Sequence, residues 1–558
     1  MRPAPFVQTI LLPILPGSFN RTLEIYRPFA DHVYRTFPGA LEWSLFKTHD
    51  NTTGQDNMII TERNSEQSNA RPIETNMSNT EFAVKAEKLR QTVKLIAVAS
   101  ETIIDGWKRE AEGGLDTIDG IQLPTYAVYN AQRVLAAAAG SIEETVCDPS
   151  LRILGFSSQY LESRALHIAA EHRIADVLDK QSLHIRDITQ RIGIETGKLS
   201  RVLRLLTSQH IFCEVSPDTF ANNRISQALV RNEPLRAYVM NFASDLFSMA
   251  DYLPLSLKDP VLGPSYQVNE TAFNMAVGTP KPRWEWLEER IPKVQVSSRP
   301  SKLSPYTALL AGQGQVTQQS HDETGGEEMV SRPELENFGL AMVGGGRVYS
   351  TPHVFDYPWK DLATATVVDV GGGQGGFLLQ LSRLYPELRL VLQDRPAVID
   401  KAREMWSERN SDAVQSGRIQ FIPHDFFHEN PVRGAEIYWL RNVIHDWSDD
   451  YCIDILRKLK ISMEPKSRIL IADQVMNTTL GSEELQSAPE PLPANYGHYV
   501  RFSHQRDIAL MGLINGIERT PSQFRAIVEA AGLKIERIWE CRTQVGIVEC
   551  RLPESVTR

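Results

Sequence analysis

One stretch constrains the fold of this chain more than any other: Val367-Val368-Asp369-Val370-Gly371-Gly372-Gly373-Gln374-Gly375-Gly376, continuing into Phe377-Leu378-Leu379-Gln380-Leu381. An apolar run that meets glycines and then an apolar helix start predicts a buried parallel strand, a tight turn and a helix. Glycines belong there because backbone must approach a ligand closely and adopt positive φ. The helix behind the turn offers free N–H groups. Gly371, Gly373 and Gly376 satisfy G-x-G-x-x-G, the spacing of a dinucleotide fold. Asp369, two residues ahead of the first glycine, tilts the reading. A carboxylate faces a pyrophosphate unfavourably but suits a cation, and S-adenosylmethionine carries an ammonium and a sulfonium. Taken alone, the stretch leaves both cofactors open.

The chain beyond it alternates strand and helix. Leu388 to Leu392, Ile419 to Ile422, Glu436 to Leu440 and Ile469 to Ala472 read as strands, with helical patterns at 397–408 and 451–463. That period implies a doubly wound, mostly parallel sheet of Rossmann-like type. Ligand residues then fall at the carboxyl ends of the strands. Asp369, Asp394, Asp425, His445 and Asp473 all take such positions. Asp394 lies about 20 residues past the glycines, where an acid at a strand end binds ribose hydroxyls.

With 558 residues the chain has room for two or three domains. Residues 1–80 read as an irregular N-terminal extension, polar through 51–79. Residues 81–255 read as a mainly helical segment ending in a winged helix-turn-helix, with one amphipathic helix over Leu161 to Leu178 and others over 185–192 and 196–208 before a hairpin. Residues 256–358 read as a linker with helices that wall a pocket, interrupted by a flexible insertion at 293–330. The sheet occupies 359–558. A net charge of −10 argues against a nucleic-acid partner held by its phosphates. A winged-helix regulator stays as an alternative, since Lys198, Arg201 and Arg204 lie on the second helix, but a dimerisation role is favoured. No run of about 18 apolar residues suggests a membrane span. Five scattered cysteines fit a reducing compartment, so the expected location is cytoplasmic.

Four motifs together carry a family resemblance: Asp369-Val370-Gly371-Gly372-Gly373, His424-Asp425-Phe426-Phe427, His445-Asp446-Trp447-Ser448-Asp449 and Asn515-Gly516-Ile517-Glu518-Arg519-Thr520. From about residue 81 to the C-terminus the chain resembles the small-molecule O-methyltransferases of the plant caffeate type, and in particular their fungal secondary-metabolism members. The resemblance implies a class I, S-adenosylmethionine-dependent methyltransferase domain behind a winged-helix dimerisation domain, a homodimer, and a phenolic or enolic acceptor. It implies His445 as general base, oriented by Asp473 and Glu518. The family usually has Glu where Asp473 stands, so its reach toward the ring is shorter by one methylene. For the cofactor it implies Asp369, Gly371, Gly373, Asp394, Asp425, Phe426 and Arg441. For the acceptor it implies Phe338, Met342, Asp446, Asp507, Met511 and Asn515. No metal is implied, because the acids are dispersed over separate strand ends. An NAD(P)-dependent oxidoreductase remains the alternative enzyme class.

Overall fold

The computed structural model describes residues 7–13, 42–50, 55–63 and 79–554, apart from 114, 295–327, 350 and 363. It separates into two compact units, 1–84 and 85–558.

The first unit differs from the expected irregular extension. Strands β1 (Val7–Pro13), β2 (Glu42–Asp50) and β3 (Gln55–Arg63) form an antiparallel sheet in the order β1-β3-β2. The central strand carries Met58-Ile59-Ile60-Thr61, paired with Leu12 to Thr9 on one side and Lys47 to Ser44 on the other. Residues 14–41 separate β1 from β2 and only 51–54 join β2 to β3, and the sheet exists through pairing that composition does not show.

In the second unit, a helix over Asn79–Ala111 leads through a small hairpin, β4 (Thr117–Ile118) and β5 (Ile121–Gln122), to the helix Tyr126–Val146. The winged segment follows, with helices Ile185–Ile192 and Thr196–Ser208 and a sheet of β6 (Leu183–His184), β8 (Thr219–Ala221) and β7 (Cys213–Ser216). Its core is Ile174, Ile188, Leu199, Leu203, Leu206, Phe212 and Phe220. The single helix expected over 161–178 is two, Tyr160–Glu171 and Ile174–Val177. Arg173 breaks it at φ 52°, and its guanidinium is held by Glu233 at 2.5 and 2.8 Å.

Helices Glu233–Ala243, Asp245–Ser256, Ala272–Val277, Arg283–Glu288 and Pro333–Tyr349 join this segment to the sheet. Gly344 and Gly345 lie inside the last helix. A Cβ at Gly344 would meet the Pro234 carbonyl at 2.3 Å, and one at Gly345 the Tyr238 ring at 2.7 Å. Close helix packing there outweighs the weak helix propensity of glycine. Most of the proposed insertion, residues 295–327, lies outside the described residues; β9 (Arg290–Pro292) and β10 (Met329–Ser331) pair antiparallel on either side of it.

The main sheet runs β13 (Ile419–Pro423), β12 (Arg389–Asp394), β11 (Thr366–Val370), β14 (Ile437–Arg441), β15 (Arg468–Ala472), β17 (Ile547–Arg551), β16 (Lys534–Trp539). Strands β11 to β15 are parallel; β17 runs antiparallel to both neighbours. Apolar layers cover both faces, one around Trp439, Phe377 and Trp406 and the other around Tyr438, Leu456 and Phe524. The crossover direction reverses between β11 and β14, so the crevice for a ligand opens there, at the carboxyl ends. Among the described residues no helix is long and apolar enough to cross a membrane.

Candidate active site

The glycine turn closes β11 onto the helix Gly376–Leu384. Gly371, Gly373 and Gly375 have φ of 71°, 60° and 79°. A Cβ at Gly373 would meet nothing within 4 Å, so the turn presents bare backbone to open space. Gly372, with an ordinary φ, is needed for another reason: a Cβ there would lie 2.5 Å from Asp369 Cγ and from Leu392. Gly375 is equally tight against Trp406 and Leu392, at 2.7 and 2.8 Å. Gly376 has no such neighbour. In a dinucleotide fold the third glycine of the fingerprint serves close helix–strand packing, and here that position has room to spare.

Asp369 is buried beneath the turn. Burial pushes its carboxyl up to about 7, with the Arg441 guanidinium pulling the other way. Arg441 in turn lies over the Phe377 ring at 5.5 Å. Asp394 ends β12, and its two oxygens accept the backbone N–H groups of Gly373 and Arg395, each at 2.8 Å. Each oxygen keeps a second lone pair for a hydroxyl donor. Burial raises this carboxyl while the two amides oppose the rise. Phe426 faces Gly371, 3.6 Å from where its Cβ would stand, and packs edge-on to Trp447. Asp425 is exposed and accepts the Phe427 N–H at 3.0 Å. An open glycine turn, an acid at the next strand end and an aromatic ring beside the first glycine fit S-adenosylmethionine, with an anionic group near its cationic tail.

The reacting end is a buried polar cluster beyond β14. His445 sits in a single 3-10 turn, Ile444–Asp446, 5% exposed. Its Nδ1 lies 3.0 Å from Glu518 Oε1, and its Nε2 is 3.4 Å from Asp446 Oδ1. Asp473 does not reach the ring: its Oδ2 accepts the His445 backbone N–H at 3.0 Å. The expectation that it orients the imidazole is therefore corrected. The shorter side chain, leaving β15 directly beneath the turn, holds the main chain instead. Burial disfavours a charged His445, but Glu518, Asp446 and Asp473 outweigh it and raise the imidazole to about 9. Burial works against the Glu518 carboxylate too, yet His445 and Arg506 hold it below the usual range. Burial raises Asp473 to about 6.

Three neighbours of this cluster were given no role in the sequence reading, although Gly516 and Arg519 lie in the motif that holds Glu518. Arg506 Nη2 lies 3.1 Å from both His445 Nδ1 and Glu518 Oε1. It lies on the helix Arg501–Ile514, and no motif marks it. Arg519 is fully buried and bolts the turn down, donating to the carbonyls of Ile444 and Trp447 and to Asp449. Gly516 passes so close that a Cβ would meet the His445 carbonyl at 2.4 Å.

The residues expected at the acceptor divide. Phe338 packs edge-on to Trp284 at 5.3 Å, with Arg283 over its ring. Met511 is half-buried one helical turn from Asp507, and Met342 is exposed. Asp507 accepts the Glu518 backbone N–H at 2.9 Å, which makes it a support for Glu518. Asn515 is corrected to a structural residue. It ends its helix at φ 55°, and its amide donates to the carbonyls of Gln267 and Glu270. Aromatic residues also cluster near Arg506: Tyr349 stacks on Phe502 at 5.7 Å, and Phe242 packs against both Phe502 and Tyr238.

Known proteins resemble this chain in sequence and in fold. The profile of the O-methyltransferase domain matches residues 359–534, and that of the O-methyltransferase dimerisation domain matches residues 154–232. The O-methyltransferase tpcA of Aspergillus fumigatus is 50% identical over 475 residues, spanning 84% of this chain and 97% of its own. The O-methyltransferase gedA of Aspergillus terreus is 50% identical over 479 residues, 83% and 96% of the two chains. Among solved structures, the mitomycin 7-O-methyltransferase MmcR superposes with a TM-score of 0.52 at 25% identity, covering 75% of this chain and 99% of its own.

Proposed function

The chain belongs to the O-methyltransferase family that joins a dimerisation domain to a methyltransferase domain, and on that premise we propose that it methylates a hydroxyl of a small aromatic or polyketide-like secondary metabolite with His445 as general base. When bound, S-adenosylmethionine supplies an electrophilic methyl group and leaves as S-adenosylhomocysteine. The bare backbone of Gly371 and Gly373 would admit it, Asp394 would take its ribose hydroxyls, Phe426 its adenine, and Asp369 with Arg441 would set the charge beneath the turn.

The observation that carries the base assignment is the 3.0 Å pair of His445 Nδ1 and Glu518 Oε1. A hydrogen on Nδ1, held by Glu518, leaves the Nε2 lone pair free. Nε2 then takes the acceptor's hydroxyl proton as the oxygen–methyl bond forms and the sulfur–methyl bond breaks. A phenol has a pKa of about 10 by analogy with tyrosine. In its neutral form, an imidazole raised to about 9 is basic enough to take that proton, and the neutral form gains as pH rises. Asp446, next to Nε2, is positioned to contact the acceptor hydroxyl. Tyr349, Phe502, Phe338 and Trp284 supply aromatic walls suited to a flat ring.

A homodimer is supported by the dimerisation-domain match and by the helix Pro149–Ser157, which has no buried residue and exposes Leu151, Ile153, Leu154 and Phe156. Sedimentation of the purified chain tests that: a monomer across micromolar concentrations removes it. The functional test is transfer of radiolabelled methyl to a panel of phenolic and polyketide hydroxyls, with product mass analysis. Turnover by the wild type and its loss in His445→Ala are expected. Near-normal turnover in the variant overturns the general-base reading, and N- or C-methylated products overturn the acceptor class.

A further inference from the structure

We infer that Arg506 is a positioning residue for the methyl transfer: its buried guanidinium, shared between Glu518 and the His445 ring, offsets the surrounding carboxylates so that the imidazole can release its proton within the working range and act again as a base. The inference rests on His445 being that base.

The geometry is a triangle of polar atoms. Arg506 Nη2 is 3.1 Å from His445 Nδ1 and 3.1 Å from Glu518 Oε1, and those two atoms are 3.0 Å apart. A guanidinium only donates and a carboxylate only accepts. With Nδ1–H donated to Glu518, the guanidinium meets Glu518 Oε1 as a 3.1 Å ion pair and lies against Nδ1 as a neighbouring cation. The Arg506 side chain is 12% exposed, so water screens its charge little.

Charges face the ring from every element packed on it. Asp473 approaches from the end of β15 and Asp446 from the ring's own turn. Glu518 and Arg519 come from the loop after the helix Arg501–Ile514, and Arg506 and Asp507 from that helix. Arg519 is engaged by Asp449 and by backbone carbonyls. Three carboxylates on one imidazole favour the imidazolium, and an imidazolium accepts no proton. Arg506 is the cation placed against the ring itself. Tyr238 and Tyr349 flank its other side, with Tyr349 at 5.9 Å.

The test uses the full chain and a probe that needs no acceptor. Diethyl pyrocarbonate acylates only neutral imidazole. Its labelling of the His445 peptide, read by mass spectrometry across the pH range, reports the ring's proton affinity. In Arg506→Met the labelling midpoint is expected to move up by about 1 pH unit or more, and Arg506→Lys, which keeps the charge, stays nearer the wild type. With a phenol that turns over, the acidic limb of kcat moves the same way. The loss is then about tenfold at low pH and fades at high pH. An unchanged midpoint, or a loss of equal size at all pH, overturns the inference in favour of a packing role. Should Arg506→Met fail to fold, a midpoint for Arg506→Gln equal to wild type overturns it as well. If the midpoint shifts but His445→Ala keeps its turnover, the charge balance holds and the general-base reading is what fails.

Discussion

Asp473 and His445 meet through the main chain: the aspartate Oδ2 accepts the histidine's backbone N–H at 3.0 Å, while the ring is held by Glu518. Two acids that look equivalent in the sequence thus have separable tasks. In Asp473→Asn the amide oxygen can still accept the backbone N–H. Turnover should stay within about tenfold of wild type, whereas Glu518→Gln should lose on the order of 100-fold in kcat. Equal losses in steady-state kinetics would mean that both acids act on the ring.

His445→Ala should lower methyl transfer by about 10²–10⁴-fold while leaving S-adenosylmethionine affinity, measured by calorimetry, within a factor of two or so of wild type. The turn is held by Arg519 and Asp473 rather than by the ring, so the cofactor cradle has no reason to move.

Donor affinity should depend on pH through Asp369. Burial holds its folded-state carboxyl up at about 7, so the ion, which attracts a cationic donor, forms only as pH rises through that value. Affinity should therefore fall on acidification through about pH 7. For the free protein the sign is opposite: a raised carboxyl costs stability as pH rises from the unfolded value to the folded one. Asp369→Asn should bind the donor more weakly at high pH and lose the pH dependence in titration calorimetry.

Asp394→Ala removes an acceptor of the Gly373 N–H as well as the ribose partner, so donor affinity should drop at least about tenfold. Unchanged affinity would leave Asp394 a turn-holding residue alone.

Gly372 and Gly376 separate packing from motif. Gly372→Ala drives a methyl into Asp369 and Leu392 and should destabilise the fold by about 1–3 kcal/mol. Gly376→Ala meets open space at the helix start and should be neutral, or stabilising by about 0.4–1 kcal/mol. Thermal unfolding of the pair checks this ranking.

Strand ends were legible because the side-chain period and the glycine turn are local. Asp369 and Asp394 lie within the last two residues of their strands, and Asp425, His445 and Asp473 just beyond theirs, all at the carboxyl ends of parallel strands as their spacing implies. Arg506 was not legible, because its meaning comes from residues 61 positions away in the chain. The N-terminal sheet escaped for a similar reason: Val7 pairs with Arg63, far along the chain, and local composition does not name that partner.

Sequence alone determined the doubly wound fold, because a glycine turn after a buried strand and alternating elements behind it are local patterns, and the resemblance carried by its four motifs implied the methyltransferase class. Tertiary structure decided which groups act together. Only the fold gave the ring to Glu518 and the backbone to Asp473, turned Asp507 and Asn515 into supports, and brought Arg506 onto the imidazole. Those outcomes depend on ångström distances between distant segments in a buried, low-dielectric cluster, where one methylene or one charge changes the partner.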